Sequence, residues 1–159
     1  MDIEIKAIDQ AAVRALLDSD DAGRAPTVRI DEEGGSPLRC CLGKAEPGER
    51  IALLSYAPLR RWAAGAGVDP GAYDEVGPIF VHAGPCPGFD GTGWPDAHRA
   101  PRMLRSYAAD GHILGGRRVG EGADPEVALK ELFDDPEVAV VHVRAIEFGC
   151  FQFEARRAI

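Results

Sequence analysis

Apolar and polar residues alternate from Val138 to Ile146, which puts Ala139, Val141, Val143 and Ala145 on one face of a strand. A second alternating run, Cys150 to Ala155, groups Phe151, Phe153 and Ala155 in the same way. Side chains repeat every two residues along a strand, so joining both apolar sets on one face requires a loop with an odd number of residues. Glu147-Phe148-Gly149, with Gly149 left-handed, supplies a three-residue loop. The pattern therefore predicts Val143 opposite Phe153. On the other, half-exposed face it pairs His142 with Glu154, Arg144 with Gln152 and Ile146 with Cys150.

The rest of the chain divides into short elements of the same kind. Asp110-Gly111 is a two-residue hairpin signal that pairs Ala109 with His112, Tyr107 with Leu114, Arg105 with Gly116 and Met103 with Arg118. Gly115-Gly116 inside the second strand marks a bulge or a close backbone approach. Asp124 as N-cap, Pro125 at the first helical position and the stripe Ala128, Leu129, Leu132, Phe133 predict a helix that Asp134-Asp135-Pro136 ends. Upstream, Ile3 to Ala7 reads as a strand, and Asp9 caps a helix whose apolar face is Val13, Leu16 and Leu17. Thr27 to Ile30 and Leu38 to Leu42 read as strands around the Glu33-to-Pro37 turn, followed by strands Ile51 to Tyr56 and Gly77 to His82. Pro58 to Gly67 is a helical turn or loop. Two helices and about seven short strands, many linked as hairpins, give an α+β class with a mainly antiparallel sheet in one domain over residues 1–159.

Composition narrows the functional classes. A chain of 159 residues with 45% hydrophobic and 28% charged residues is long enough for an unstapled core. Its net charge of −8 argues against nucleic-acid binding, which needs a basic face. The acidic runs Asp18 to Asp21 and Asp31 to Glu33 read as solvated loops. No signal peptide or membrane-spanning run is evident, so the expectation is a cytoplasmic protein whose four cysteines are reduced thiols. Cys40 and Cys41, adjacent in a strand-like run, should point to opposite faces.

Candidate chemistry gathers around Val76 to Phe89, where an apolar strand delivers His82, then Cys86, into a Pro- and Gly-rich loop running from Ala83 to Pro101. A loop of that length is either functional or disordered, and Phe89, Trp94 and His98 argue against disorder. His82 and Cys86 are candidates for a base and nucleophile, with Asp90 or Asp96 as orienting group. No metal is expected, because zinc takes four ligands, no Cys-x-x-Cys pair is present, and His98, Cys40 or Cys41 would have to converge from elsewhere. Arg105 and Tyr107 share a strand face opposite Gly116, where a missing side chain leaves room for an anionic small molecule. The competing reading of Arg105 is a stem packed over the sheet with its head in solvent. Trp62 with Arg60 and Arg61 reads as a surface stack or partial interface anchor.

Several segments together resemble the bacterial family catalogued as domain of unknown function 1203. They are Leu38 to Leu42 with Ala45 to Arg50, Glu75 to Ala83, Arg105 to Gly111, and Val141 to Arg144 through Gly149-Cys150-Phe151. The resemblance implies a bacterial single-domain protein and brings no established activity, cofactor or catalytic residue. Two functions compete. One is binding or conversion of a small anion in a pocket between the 83–101 loop and the 102–119 hairpin, lined by Arg105 and Tyr107 with His82 and Cys86 at its rim. The other is a non-catalytic assembly domain that forms a homodimer. A third reading is a thiol-based redox protein.

Overall fold

The computed structural model describes residues 2–159. Its strands are β1 (Ile3–Lys6), β2 (Thr27–Asp31), β3 (Glu49–Tyr56), β4 (Gly77–His82), β5 (Arg102–Ala108), β6 (Ile113–Val119), β7 (Val138–Ala145) and β8 (Phe151–Arg157). The α-helices are α1 (Gln10–Asp18), α2 (Pro58–Ala66) and α3 (Pro125–Phe133). The strands form a five-stranded sheet in the order β1-β8-β7-β5-β6 and a three-stranded sheet in the order β2-β3-β4, every neighbouring pair antiparallel. The class is therefore α+β, with one more α-helix and one more strand than the pattern predicts. No described helix is long and apolar enough to cross a membrane.

Each helix covers one apolar surface. Val13 and Leu16 of α1, whose N-cap Asp9 accepts from the Ala11 N–H, pack with Ile51, Ala52, Leu54, Ile79 and Val81 of the three-stranded sheet. Ala128, Leu129 and Phe133 of α3 pack against Leu104, Val141, Val143, Phe153 and Ala155 on one face of the larger sheet. As predicted, the Asp124 carboxylate caps α3, accepting from the N–H groups of Glu126 and Val127. On the opposite face, Leu59, Trp62 and Ala63 of α2 bury Tyr107 and Val140. Trp62 is thus a core residue rather than a surface stack. Pro58 at the first helical turn and left-handed Gly67 at the C-cap turn the predicted loop into a true helix.

Three local expectations are corrected. Leu38 to Leu42 is a turn, not a strand: Leu42 donates to the Leu38 carbonyl, and Leu42 itself is left-handed at φ 61°. The final hairpin keeps His142 opposite Glu154 and Val143 opposite Phe153, but a bulge then pairs Arg144 with Phe151 and leaves Gln152 over. Ala145 bonds back to Cys150, so the loop holds the four residues Ile146 to Gly149, and the bulge absorbs the parity change. Phe151 is thereby turned to the other face, 5.5 Å from the Tyr56 ring. In the Asp110-Gly111 hairpin, Tyr107 faces Ile113 rather than Leu114, with the bulge beside Gly115 that the glycine pair allows.

The acidic runs also organise the backbone rather than simply facing water. Asp20 is buried and accepts from the N–H groups of Ala22, Arg24 and Ser55, while Asp21 accepts from Ala57 N–H and from Arg61. Asp31 accepts from Gly34 and Ser36. Gly111, at φ 91°, carries its hairpin past Pro70, whose Cβ would lie 2.9 Å from any added Cβ. Gly111→Ala is expected to cost about 2 kcal/mol, from left-handed strain and overpacking together. Urea unfolding should show a lower midpoint at unchanged slope.

Candidate functional site

Arg39 is only 4% exposed, and Leu38 and Cys40 on either side of it are also buried. Its Nε donates to the Phe151 carbonyl at 2.8 Å and one terminal nitrogen to the Pro37 carbonyl at 2.6 Å, which locks the side chain across the seam between the two sheets. Burial pushes its pKa down to about 10, with the nearby Arg102 charge adding to the effect. Arg102, at the start of β5, donates to the Pro101 carbonyl and to His98 Nδ1 at 3.2 Å. Burial lowers its pKa as well.

Arg39, Arg102, His98 and Lys44 line a cavity of about 460 Å³ whose other walls include Leu53, Pro78, Phe80 and Phe148. Glu147 is the one carboxylate on the wall. Among the described residues neither Arg39 nor Arg102 forms an ion pair with a carboxylate, although the chain as a whole is acidic. Two buried atoms on cavity residues also lack partners: the donor Arg102 Nε and the acceptor Gln152 Oε1. Buried polar atoms are nearly always satisfied, so these two are polar capacity that the protein itself leaves unused.

The long loop is packed rather than open. Trp94 sits edge-on to Phe153 with ring centroids 5.0 Å apart, and its Nε1 donates to the His98 carbonyl at 2.8 Å. That bond fixes the turn Asp96–His98 and aims the His98 ring at Arg102. Burial, reinforced by the charges of Arg102, Arg39 and Lys44, depresses the His98 pKa to about 4, so at neutral pH the ring is an uncharged acceptor.

A second cluster forms where the Arg39-to-Cys41 turn meets the end of β4. Cys40, Cys41, His82 and Cys86 place one ligand-type atom each within 4.8 Å of one another. His82 Nδ1 lies 3.4 Å from Cys40 Sγ and 4.0 Å from Cys41 Sγ, and the His82 N–H donates to Cys40 Sγ at 3.3 Å. The other ring nitrogen, Nε2, meets the Glu49 carboxylate at 2.9 Å, and Glu49 is itself held by the Glu46 N–H. A hydrogen bond from Cys40, aided by the Gly43 N–H and His82, lowers the Cys41 thiol pKa against the opposing effect of burial. Cys40, the donor in that pair and more buried, is raised. The turn at Leu38 to Leu42 is the reason the adjacent cysteines share a side instead of pointing apart.

The scatter in sequence that argued against a metal is therefore removed by the fold, and the group orienting His82 is Glu49 rather than Asp90 or Asp96. Arg105 and Tyr107 are not part of either cluster. Arg105 pairs with Glu75 at 2.9 Å, and Glu75 also holds Arg144 at 3.2 Å. Tyr107 is buried against the His142 ring, centroids 5.0 Å apart. Five cavities of about 200 to 530 Å³ open among the described residues, and Arg105, Tyr107, His82 and Cys86 line none of them. The sequence reading missed Arg39, Arg102 and Glu49. The available signal for Arg39 was an arginine embedded in the apolar run Leu38 to Leu42.

His142 Nε2 bonds to Glu154 Oε1 at 3.1 Å, and Arg156 holds the other oxygen of Glu154. His142 has no solvent exposure at all, so its face is buried rather than half-exposed. This chain of three underlies a second cavity, of about 530 Å³, lined by Tyr56, Arg61, Trp62, Glu154 and Arg156 among others. Tyr56, Arg61 and Asp21 close one side of it, with Arg61 ion-paired to Asp21 at 2.8 Å.

Neither a curated protein nor a solved structure matches this chain. The family model described as "Protein of unknown function (DUF1203)" does match, over residues 35–157, a span that holds Arg39, Arg102, the four clustered thiol and imidazole residues and both sheets except β1 and β2, and the chain belongs to that family.

Proposed function

We propose that the protein binds a small anionic molecule with an apolar body in the cavity of Arg39, Lys44, His98 and Arg102. The observation that carries this reading is a buried arginine, Arg39, beside a half-buried one, Arg102, neither ion-paired to a carboxylate among the described residues of a chain of net charge −8. An isolated buried cation is costly, and an anion seated between the guanidinium groups would offset that cost through charge-assisted hydrogen bonds. Leu53, Phe80 and Phe148 supply the apolar wall for the body of the ligand. The location agrees with the sequence reading in outline, since the 83–101 loop contributes His98 and the following hairpin contributes Arg102. The anion-binding arginines differ: Arg105 is already neutralised by Glu75.

The test is thermal denaturation with benzoate, phenyl phosphate and acetate. A ligand that binds only the folded state, present at about 100 times its Kd, stabilises it by about 2.7 kcal/mol. The aryl anions should raise the melting temperature, and acetate should do so less. Arg102→Met should abolish the rise while leaving the unliganded protein folded, and Arg105→Met should not alter it. No response to any anion, or an equal response in Arg102→Met, overturns the reading.

A further inference from the structure

We propose that Cys40, Cys41, His82 and Cys86 form a tetrahedral zinc site, with Glu49 as the positioning residue for His82. The site is independent of the anion cavity. A zinc ion with bonds of about 2.3 Å to sulfur and about 2.0 Å to nitrogen sets ligand-to-ligand edges of roughly 3.5–3.8 Å. His82 Nδ1 already stands 3.4 Å and 4.0 Å from two of the sulfurs, and no pair among the four atoms exceeds 4.8 Å. Closing around an ion therefore needs side-chain movements of about 1 Å or less. Three thiolates and an imidazole are a soft donor set that selects zinc over magnesium or calcium.

The surroundings match what such a site requires. Nε2 of His82 faces the Glu49 carboxylate at 2.9 Å, which leaves Nδ1 as the free lone pair aimed at the sulfurs. The His82 N–H bonds to Cys40 Sγ, a donor that offsets thiolate charge on that sulfur. Cys40 is fully enclosed, whereas Cys41, His82 and Cys86 are half-buried and leave solvent access to the cluster. All four positions come from protein residues, so the site is closed and structural in type rather than open for substrate. Its effect is to clamp the start of the 83–101 loop, through Cys86, onto the Arg39-to-Cys41 turn. Each ligating thiol releases a proton to solvent on binding, and no redox change is involved.

The experiment is cobalt(II) titration of the reduced, metal-stripped full chain, followed by displacement with zinc and elemental analysis. Thiolate-to-cobalt charge-transfer bands and the intense visible bands of tetrahedral cobalt should saturate at one ion per chain and be abolished by zinc. Cys150→Ser should leave the spectrum unchanged, as should Arg102→Met, which separates this result from failure of the anion reading. Cys86→Ser should lose the stoichiometric tetrahedral spectrum, and Glu49→Gln should keep its shape while weakening affinity about 10- to 100-fold. The wild-type spectrum needs no variant to fold. Absence of charge-transfer bands in the wild type, or their persistence in Cys86→Ser, overturns the site. Rapid alkylation of a single thiol, unaffected by zinc, would do the same and assign the cluster to nucleophilic chemistry.

Discussion

Glu154→Ala should destabilise the protein by about 3 kcal/mol, the largest loss expected from any single side chain considered above. Glu154 is 8% exposed and joins His142, which is fully enclosed, to Arg156. Burial works against ionisation of Glu154, but hydrogen bonds and charge from His142 and Arg156 outweigh it and hold its pKa below the ordinary value. Truncation leaves the His142 N–H without an acceptor, since Nδ1 on the other side of the ring is already unpartnered. It also enlarges the cavity that Glu154 lines together with Tyr56 and Phe151. For a domain of this size the melting temperature should fall by about 6–12 °C. Glu154→Gln keeps the volume and an acceptor for His142, so its cost should be near 1 kcal/mol. Calorimetric melts of the two variants at neutral pH provide the comparison. Equal melting temperatures of the two variants would show that neither the volume nor the acceptor at this position adds stability.

Acidification should destabilise the protein in the window from about pH 6.5 down to about 4. The folded His98 is depressed to about 4 by burial and by three neighbouring cations, whereas an unfolded histidine titrates near 6.5. A depressed folded pKa means that stability is present above the unfolded value and is lost as pH falls toward the folded one. Below pH 6.5 the unfolded chain takes up a proton that the folded chain refuses, and the equilibrium shifts toward unfolding. His142 acts in the same direction, because burial outweighs the favourable contact with Glu154. Between pH 7 and 5 the His98 contribution amounts to about 2 kcal/mol. His98→Asn preserves an acceptor for Arg102 and removes the titration, so the variant should lose about 2 kcal/mol less than wild type over that interval. Urea unfolding at both pH values, in a buffer without aryl anions, measures this directly. Parallel losses in the two proteins would place the acid sensitivity elsewhere.

Much of the strand pattern was legible because period-two alternation reports on a face. Thus His142 opposite Glu154, Val143 opposite Phe153 and the Asp124 cap of α3 all follow from residue order. What was not legible depended on local exceptions to that period. One extra residue at Gln152 reversed Phe151, and one left-handed residue, Leu42, folded an apparent strand into the turn that carries Cys40 and Cys41. The site residues fared accordingly. His82 and Cys86 lie close in sequence and stand out there as candidates. Arg39, Arg102 and Glu49 come from three separate segments: the pairing of β3 with β4 brings Glu49 beside His82, and only the tertiary fold brings Arg39 and Arg102 to one cavity. Arg105 stood out by its strand neighbour Gly116, yet Glu75, thirty positions earlier in the chain, had already taken its charge.

The pairing of β1 with β8, Ile3 opposite Arg157, sets an order of assembly. The β3–β4, β5–β6 and β7–β8 contacts join strands that follow one another closely, so each can form as soon as its second strand leaves the ribosome. β1 is made before all of them and has only β8 to pair with. Until Phe151 to Arg157 have been made it must wait, together with the apolar Ile3 and Ile5 that later pack under α3. A contact spanning this much chain is slow to close, so the seam between β1 and β8 is where a nascent chain stays open longest and where a chaperone would find a strand to hold.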